Sequence, residues 1–228
     1  MLVSKYPSEV ISAEQKVPGI FMVSLKSLGR PYRFKPGQFL HLALDAYDPS
    51  GPWPESRCFS IQTCCSDELL TITYAVKGAF TQRMAAEITP GHQVWLKLPF
   101  GDIFDQGHDQ ANCVFIAGGT GITPFLSLFT DSSFAEYRMP HLYLGVRSPE
   151  FHLYAGEIKR AQAINPSFGV DVVVESASGI LKISDIFQQS APDSTFFISG
   201  PPVMIKNFRN YLIDQGVAGD KVRTDDWE

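Results

Sequence analysis

Two rhythms of apolar and polar residues divide the chain. Over the first hundred positions, short runs rich in β-branched and aromatic residues fall at 10–11, 19–25, 38–44, 58–63, 69–76 and 93–98. Turn residues separate them, as in Lys35-Pro36-Gly37, Asp48-Pro49-Ser50-Gly51-Pro52 and Thr89-Pro90-Gly91. Each run therefore reads as a strand. One helix interrupts, over 81–87, starting just after Gly78. Six short strands with no long helices between them predict a small antiparallel barrel.

Beyond the polar stretch 107–112 the pattern changes. Continuous apolar runs at 112–117, 141–146, 170–175 and 195–199 alternate with helical segments at 123–129, 154–164 and 202–215. Continuous rather than alternating apolar strands, with helices between, mean a parallel sheet covered on both faces. The expected fold class is a β-barrel plus α/β, with a six-stranded antiparallel barrel over 1–106 and a Rossmann-like parallel-sheet domain over 112–228.

Composition narrows the function. Apolar residues make up 44% and charged residues 19%, enough for a buried core and too apolar for global disorder. The formal net charge is −5 and no run of Lys or Arg appears, which speaks against nucleic-acid binding. Residues 1–104 carry 10 Lys+Arg against 9 Asp+Glu (+1), and residues 105–228 carry 9 against 15 (−6). The charge thus divides near the change of rhythm. Cys58, Cys64, Cys65 and Cys113 have no metal-ligand spacing and read as buried thiols of a reducing compartment. The first nineteen residues lack the apolar stretch of a signal peptide. No run reaches the ~20 apolar residues of a membrane span. A soluble, cytoplasmic protein is expected.

The densest chemical signal is Ala117-Gly118-Gly119-Thr120-Gly121-Ile122-Thr123-Pro124, between the first strand and first helix of the second half. Glycine lets backbone approach a phosphate and adopt positive φ. A helix N-terminus offers free N–H groups, and Pro124 suits a first helical turn. A doubly wound fold places a nucleotide pyrophosphate there. A tight turn with packing glycines is the alternative.

Four ordered segments and the chain end together resemble the ferredoxin–NADP reductase superfamily. Arg57-Cys58-Phe59-Ser60 resembles its Arg-x-Tyr-Ser flavin motif, and Gly78-Ala79-Phe80-Thr81 its second phosphate element. Gly118–Pro124 matches its Gly-Gly-Thr-Gly-Ile-Thr-Pro turn. Ser199-Gly200-Pro201-Pro202 with Met204 resembles its Cys-Gly-Pro-Pro-x-Met segment, and Asp225-Asp226-Trp227 its Glu-x-aromatic ending. The resemblance implies an FAD-binding barrel followed by a nucleotide-binding domain.

It also implies residue roles. Arg57 pairs with the flavin diphosphate; Phe59, in place of Tyr, stacks on the ring without a hydroxyl; Ser60 hydrogen-bonds flavin N5. Tyr74, Val76 and Gly78 fall among the cofactor contacts, and Thr81 holds a phosphate with the helix start. Gly119, Thr120, Gly121, Thr123 and Pro124 form the pyrophosphate cradle, joined by Gly200 and Pro201. Ser199 replaces the Cys beside the nicotinamide. Trp227 covers the flavin face, and Asp225 takes the acidic place one methylene short of Glu. Where phosphate-binding members often carry Ser-Arg, this chain has Glu175-Ser176, whose carboxylate suits ribose hydroxyls and favours NADH over NADPH. Arg147-Ser148 is a competing phosphate contact.

The function so implied is a reductase that passes hydride from NADH or NADPH to bound FAD. Electrons then leave to a separate acceptor, either a ferredoxin-like protein, a haem or oxygenase component, or a small molecule. No Cys-x4-Cys-x2-Cys motif for an iron–sulfur cluster occurs, and the two cofactor domains are expected to fill the 228 residues. A non-catalytic flavoprotein subunit and a free-flavin reductase are the alternatives.

Overall fold

The computed structural model describes residues 2–105 and 107–225. Its chain divides into two compact units, 1–102 and 103–228. The sequence placed the linker at 107–112. The division falls earlier because Phe104 belongs to the second unit, with its ring 5.2 Å from that of Phe197.

The first unit contains β1 (Ser4–Val17), β2 (Ile20–Ser27), β3 (Phe39–Ala43), β4 (Ser56–Ser60), β5 (Leu70–Ala75), α1 (Ala79–Glu87) and β6 (Gln93–Phe100). These strands form one six-stranded sheet in the order β4-β3-β6-β1-β2-β5, with every pairing antiparallel. Beyond the ladder, the two outer strands approach each other. Gln62 N–H donates to the Thr71 carbonyl at 3.0 Å, and the buried Thr73 hydroxyl donates to Gln62 Oε1 at 2.7 Å. That contact curls the sheet into the expected barrel. Alternate residues point inward, among them Val23, Leu25, Leu40, Leu42, Val94, Leu96 and Leu98. Phe80 and Met84 of α1 complete the same core.

The second unit contains β7 (Cys113–Gly118), α2 (Thr123–Phe129), β8 (His141–Val146), α3 (Ala155–Ile164), β9 (Gly169–Val174), α4 (Glu175–Ser178), α5 (Ile183–Gln189), β10 (Thr195–Ser199), α6 (Pro202–Asp214) and β11 (Val222–Thr224). Its sheet runs β11-β10-β7-β8-β9, all parallel. Val114, Ile116, Phe196 and Ile198 face the core shared with α5 and α6. Phe115 and Phe197 face the other side, stacked at 5.1 Å, where Phe125 of α2 meets Phe115. Both faces are covered, so the strands read as continuous apolar runs. From β7 the chain winds outward to β8 and β9, then returns to β10 on the opposite side of β7. The topological switch point therefore lies between β7 and β10.

Candidate functional site

Strand parity sorts the flavin-like motif of β4 into two sides. Arg57 and Phe59 pair across the ladder with Leu42 and Leu40, and Cys58 and Ser60 with His41 and Phe39. Phe59 is half-buried against the barrel core, its ring 6.0 Å from that of Tyr74. Tyr74 stacks on Phe21 at 5.3 Å, and burial pushes its phenol up to about 12, so it stays a neutral donor. The Arg57 guanidinium lies 5.0 Å from the ring centre of Phe80. Phe80 is the second residue of α1, so a permanent positive charge sits at that helix's first turn. Arg57 is itself exposed, and it donates to the Ser56 carbonyl and to Glu55 Oε1, each at 2.9 Å.

The helix begins two residues earlier than its sequence suggests. Gly78 is the N-cap, in extended backbone at φ −150°, and Thr81 is the third helical residue. The Thr81 hydroxyl accepts from the N–H groups of Lys77 at 2.9 Å and Gly78 at 3.1 Å, and it donates to the Gly78 carbonyl. Thr81 thus braces the turn, while the N–H groups that any helix leaves unpaired in its first turn remain for an anion. Val76 lies just past β5, half-buried on the barrel core, and its N–H donates to the Gly19 carbonyl.

On the other side of β4, Cys58 Sγ lies 3.5 Å from His41 Nε2. Burial and Lys97 hold the imidazole below the usual histidine range, and burial raises the thiol against the opposing pull of Arg57. This is a neutral pair and not an activated thiolate. Ser60 sits half-buried at the end of the strand.

In the second unit, the glycines of the β7 turn do different jobs. A 3₁₀ turn over Gly119–Ile122 leads directly into α2. Gly119 has φ +56°, with open space where a Cβ would stand. Gly121 has none, because a Cβ there would come within 2.5 Å of the Ser199 carbonyl and of Gly200 Cα. Gly200, at φ +151°, needs glycine for its backbone. Pro201 presses on Gly118, whose added Cβ would lie 2.7 Å from Pro201 Cδ. So the two turns expected from sequence to share a ligand interlock at the switch point. Gly119, with open space at its Cβ position, and half-buried Thr120 are the members that this interlock leaves uncrowded. Thr123 is buried, its hydroxyl spent on the Thr120 carbonyl at 2.9 Å, and Pro124 is buried beside it in the first turn of α2.

Ser199 is 3% exposed at the end of β10. Its hydroxyl donates to Asp225 Oδ2 at 3.1 Å, and Asp225 N–H donates to the Ile198 carbonyl at 3.0 Å. The structure thus joins two residues that the sequence singled out separately. Trp227 lies outside the described residues. Glu175 does not close the third strand: β9 ends at Val174, and Glu175 opens the short, exposed α4. Ser176 N–H donates to the Arg147 carbonyl at 3.0 Å, so the two competing specificity segments are adjacent, and the side chains of Glu175 and Arg147 are both exposed. The sequence gives no role to Glu55 and Phe80 beside Arg57 or to Phe21 stacked on Tyr74, since no spacing links these partners.

The residues present fit a flavin dinucleotide and a nicotinamide dinucleotide. The barrel supplies a guanidinium and a helix start for a diphosphate, with half-buried Phe59 and the buried Tyr74 beside it for a flat ring system. The second unit supplies an uncrowded left-handed glycine at a switch point. Among the described residues, no helix is long and apolar enough to cross a membrane.

Residues 115–210 match the oxidoreductase NAD-binding domain family. A flavohemoprotein of Rhodopirellula baltica is 26% identical over 216 residues, covering 83% of this chain and 52% of that protein. A probable dihydroorotate dehydrogenase B electron transfer subunit of Methanopyrus kandleri is 32% identical over 126 residues, 55% of this chain and 44% of that protein. The chain spans about half the length of these curated relatives. Among solved structures, a ferredoxin NADP+ reductase from Neisseria gonorrhoeae with bound FAD and NADP superimposes with a TM-score of 0.77 at 20% identity, covering 95% of this chain and 92% of that one. The Amycolatopsis cytochrome P450 reductase GcoB gives 0.80 at 19% identity, covering 97% and 69%.

Proposed function

We propose that this chain is a member of the ferredoxin–NADP reductase-like oxidoreductases, an FAD-dependent reductase that takes hydride from NADH and delivers electrons to a separate acceptor. The observation that carries the reading is the placement of Arg57 at the first turn of α1, with Phe59 and Tyr74 on the same barrel. When bound, FAD supplies the chemistry that accepts a hydride and releases electrons singly.

The chain's own residues do the rest. Arg57 and the first-turn N–H groups of α1 bind the FAD diphosphate, a planar guanidinium being suited to two parallel phosphate contacts. Phe59 and Tyr74 flank the ring, and Ser60 offers a hydroxyl toward the flavin edge. Gly119 and Thr120 hold the pyrophosphate of the nicotinamide dinucleotide. Ser199 hydrogen-bonds in the nicotinamide region, its proton directed to Asp225, so its oxygen is left as an acceptor. Glu175 favours ribose hydroxyls over a 2′-phosphate, against the opposing charge of Arg147.

The acceptor is a separate protein or small molecule. The Methanopyrus relative's name, an electron transfer subunit, favours a protein partner. Two measurements test the reading. Yellow colour retained through gel filtration separates bound FAD from flavin used as a substrate. A higher kcat/KM for NADH than for NADPH supports the role of Glu175, and the reverse order assigns the specificity to Arg147.

A further inference from the structure

Met204 stands in the first turn of α6, half-buried beside the core that holds Ile205 and Phe208. Its thioether occupies the space that two absent side chains would fill. A Cβ on Gly118 would meet Met204 Sδ at 3.0 Å and Cε at 3.3 Å. A Cβ on Gly200 would meet the same Cε at 2.8 Å and Gly118 N at 3.0 Å. One flexible side chain therefore covers the ends of both β7 and β10. A β-branched residue is too short and stiff to reach both, whereas an unbranched thioether fills such irregular gaps.

The neighbour of Gly118 gives this contact its consequence. Gly119 is left-handed, and nothing stands within 4 Å of its Cβ position. No side-chain packing of its own holds its conformation, so it is held through its neighbours. Gly121 is fixed on one side by the backbone of Ser199 and Gly200. On the other side, Gly118 is fixed by Pro201 and Met204.

We propose that Met204 is a positioning residue, clamping Gly118 to Gly200 so that the turn at Gly119 is preset for a dinucleotide pyrophosphate. This rests on the reading of that turn as the nicotinamide-nucleotide site. The test uses the full chain loaded with FAD, with NAD+ titrated calorimetrically and NADH turnover followed with ferricyanide. In Met204→Ala, the NAD+ dissociation constant and the KM for NADH should rise about tenfold, with kcat within about twofold. FAD content should be unchanged, and Met204→Leu, of similar volume, should restore binding.

A purely structural role would lower the melting temperature and leave the dissociation constant and KM alone, which would overturn the proposal. So would a Met204→Leu variant as weak as Met204→Ala. Should Met204→Ala fail to fold, Met204→Val keeps bulk in the gap but is too short and stiff to reach both glycines. It should give the same KM rise, and an unchanged KM would refute the clamp. If wild-type protein binds no NAD+, the nucleotide reading fails and the clamp with it; if wild type and variants bind alike, the clamp alone fails.

Discussion

The two glycine-led turns of this chain, Gly78 at the head of α1 and Gly118–Gly121 at the end of β7, are built on opposite plans. Gly78 is in ordinary extended backbone with open space at its Cβ. Nothing steric demands glycine there, and in the proposed reading the phosphate is selected by the Arg57 charge and the helix start. At the β7 turn, Gly118 and Gly121 leave no room for a methyl, and Gly119 and Gly200 need positive φ. Among the described residues, the atoms that crowd Gly118, Gly121 and Gly200 belong to Ser199, Pro201, Met204 and the glycines themselves, none of them charged. One site is set by charge and the other by shape, so the two should respond to opposite kinds of mutation.

The largest effect should come from Gly121→Ala. Its methyl would stand 2.5 Å from backbone that cannot swing aside as a side chain could. Overpacking of this kind costs about 1–3 kcal/mol or more. We expect loss of measurable nucleotide binding with FAD still bound, read by NAD+ titration and flavin absorbance. Loss of both cofactors together would break the comparison.

Arg57→Ala should do the converse. FAD affinity should fall by about 1.5–3 kcal/mol, the worth of hydrogen bonds to a charged group. Arg57→Lys should recover only part, because an ammonium lacks the planar fork. Flavin fluorescence titration measures both, and NAD+ binding should not move.

Gly78→Ala sharpens the contrast from the other side. Its methyl meets nothing, so FAD affinity should change by less than about threefold, the cost being that of a poorer N-cap. A loss as deep as that of Gly121→Ala would show that shape matters at both turns.

The smallest effect concerns pH. In the fold, burial and Lys97 hold His41 below its usual range. Between the folded and the unfolded value the unfolded chain binds the extra proton, so stability rises with pH there. It should be full above about pH 6.5 and decline as pH falls through that value. His41→Phe should flatten this part of the curve in chemical denaturation, and an unchanged slope would assign it to other groups.

What could be read from sequence followed local rules. Strands β8 and β10 end at the residues expected, because each is an apolar run bounded by turn residues. The turn after β7 was visible from its glycines and Pro124. By contrast, β1 runs fourteen residues from Ser4 to Val17, where only 10–11 read as strand. Its Pro7 and polar residues mask the alternation, and its ladder with β2 slips between Val10 and Ser12. β11 is three residues long, too short to announce itself. At the sites, residue types were legible and partnerships were not. Nothing local links Ser199 to Asp225, or Met204 to Gly118, because the parallel sheet brings them together across long loops.

The central claim is that NADH reduces FAD held on this chain. The most direct test is to load the full chain with FAD, remove oxygen, add NADH without any acceptor, and follow the flavin absorbance. Bleaching in wild type, abolished in Gly121→Ala while its FAD stays bound, is the predicted result. Flavin that stays oxidised in wild-type protein with NADH and with NADPH would contradict it.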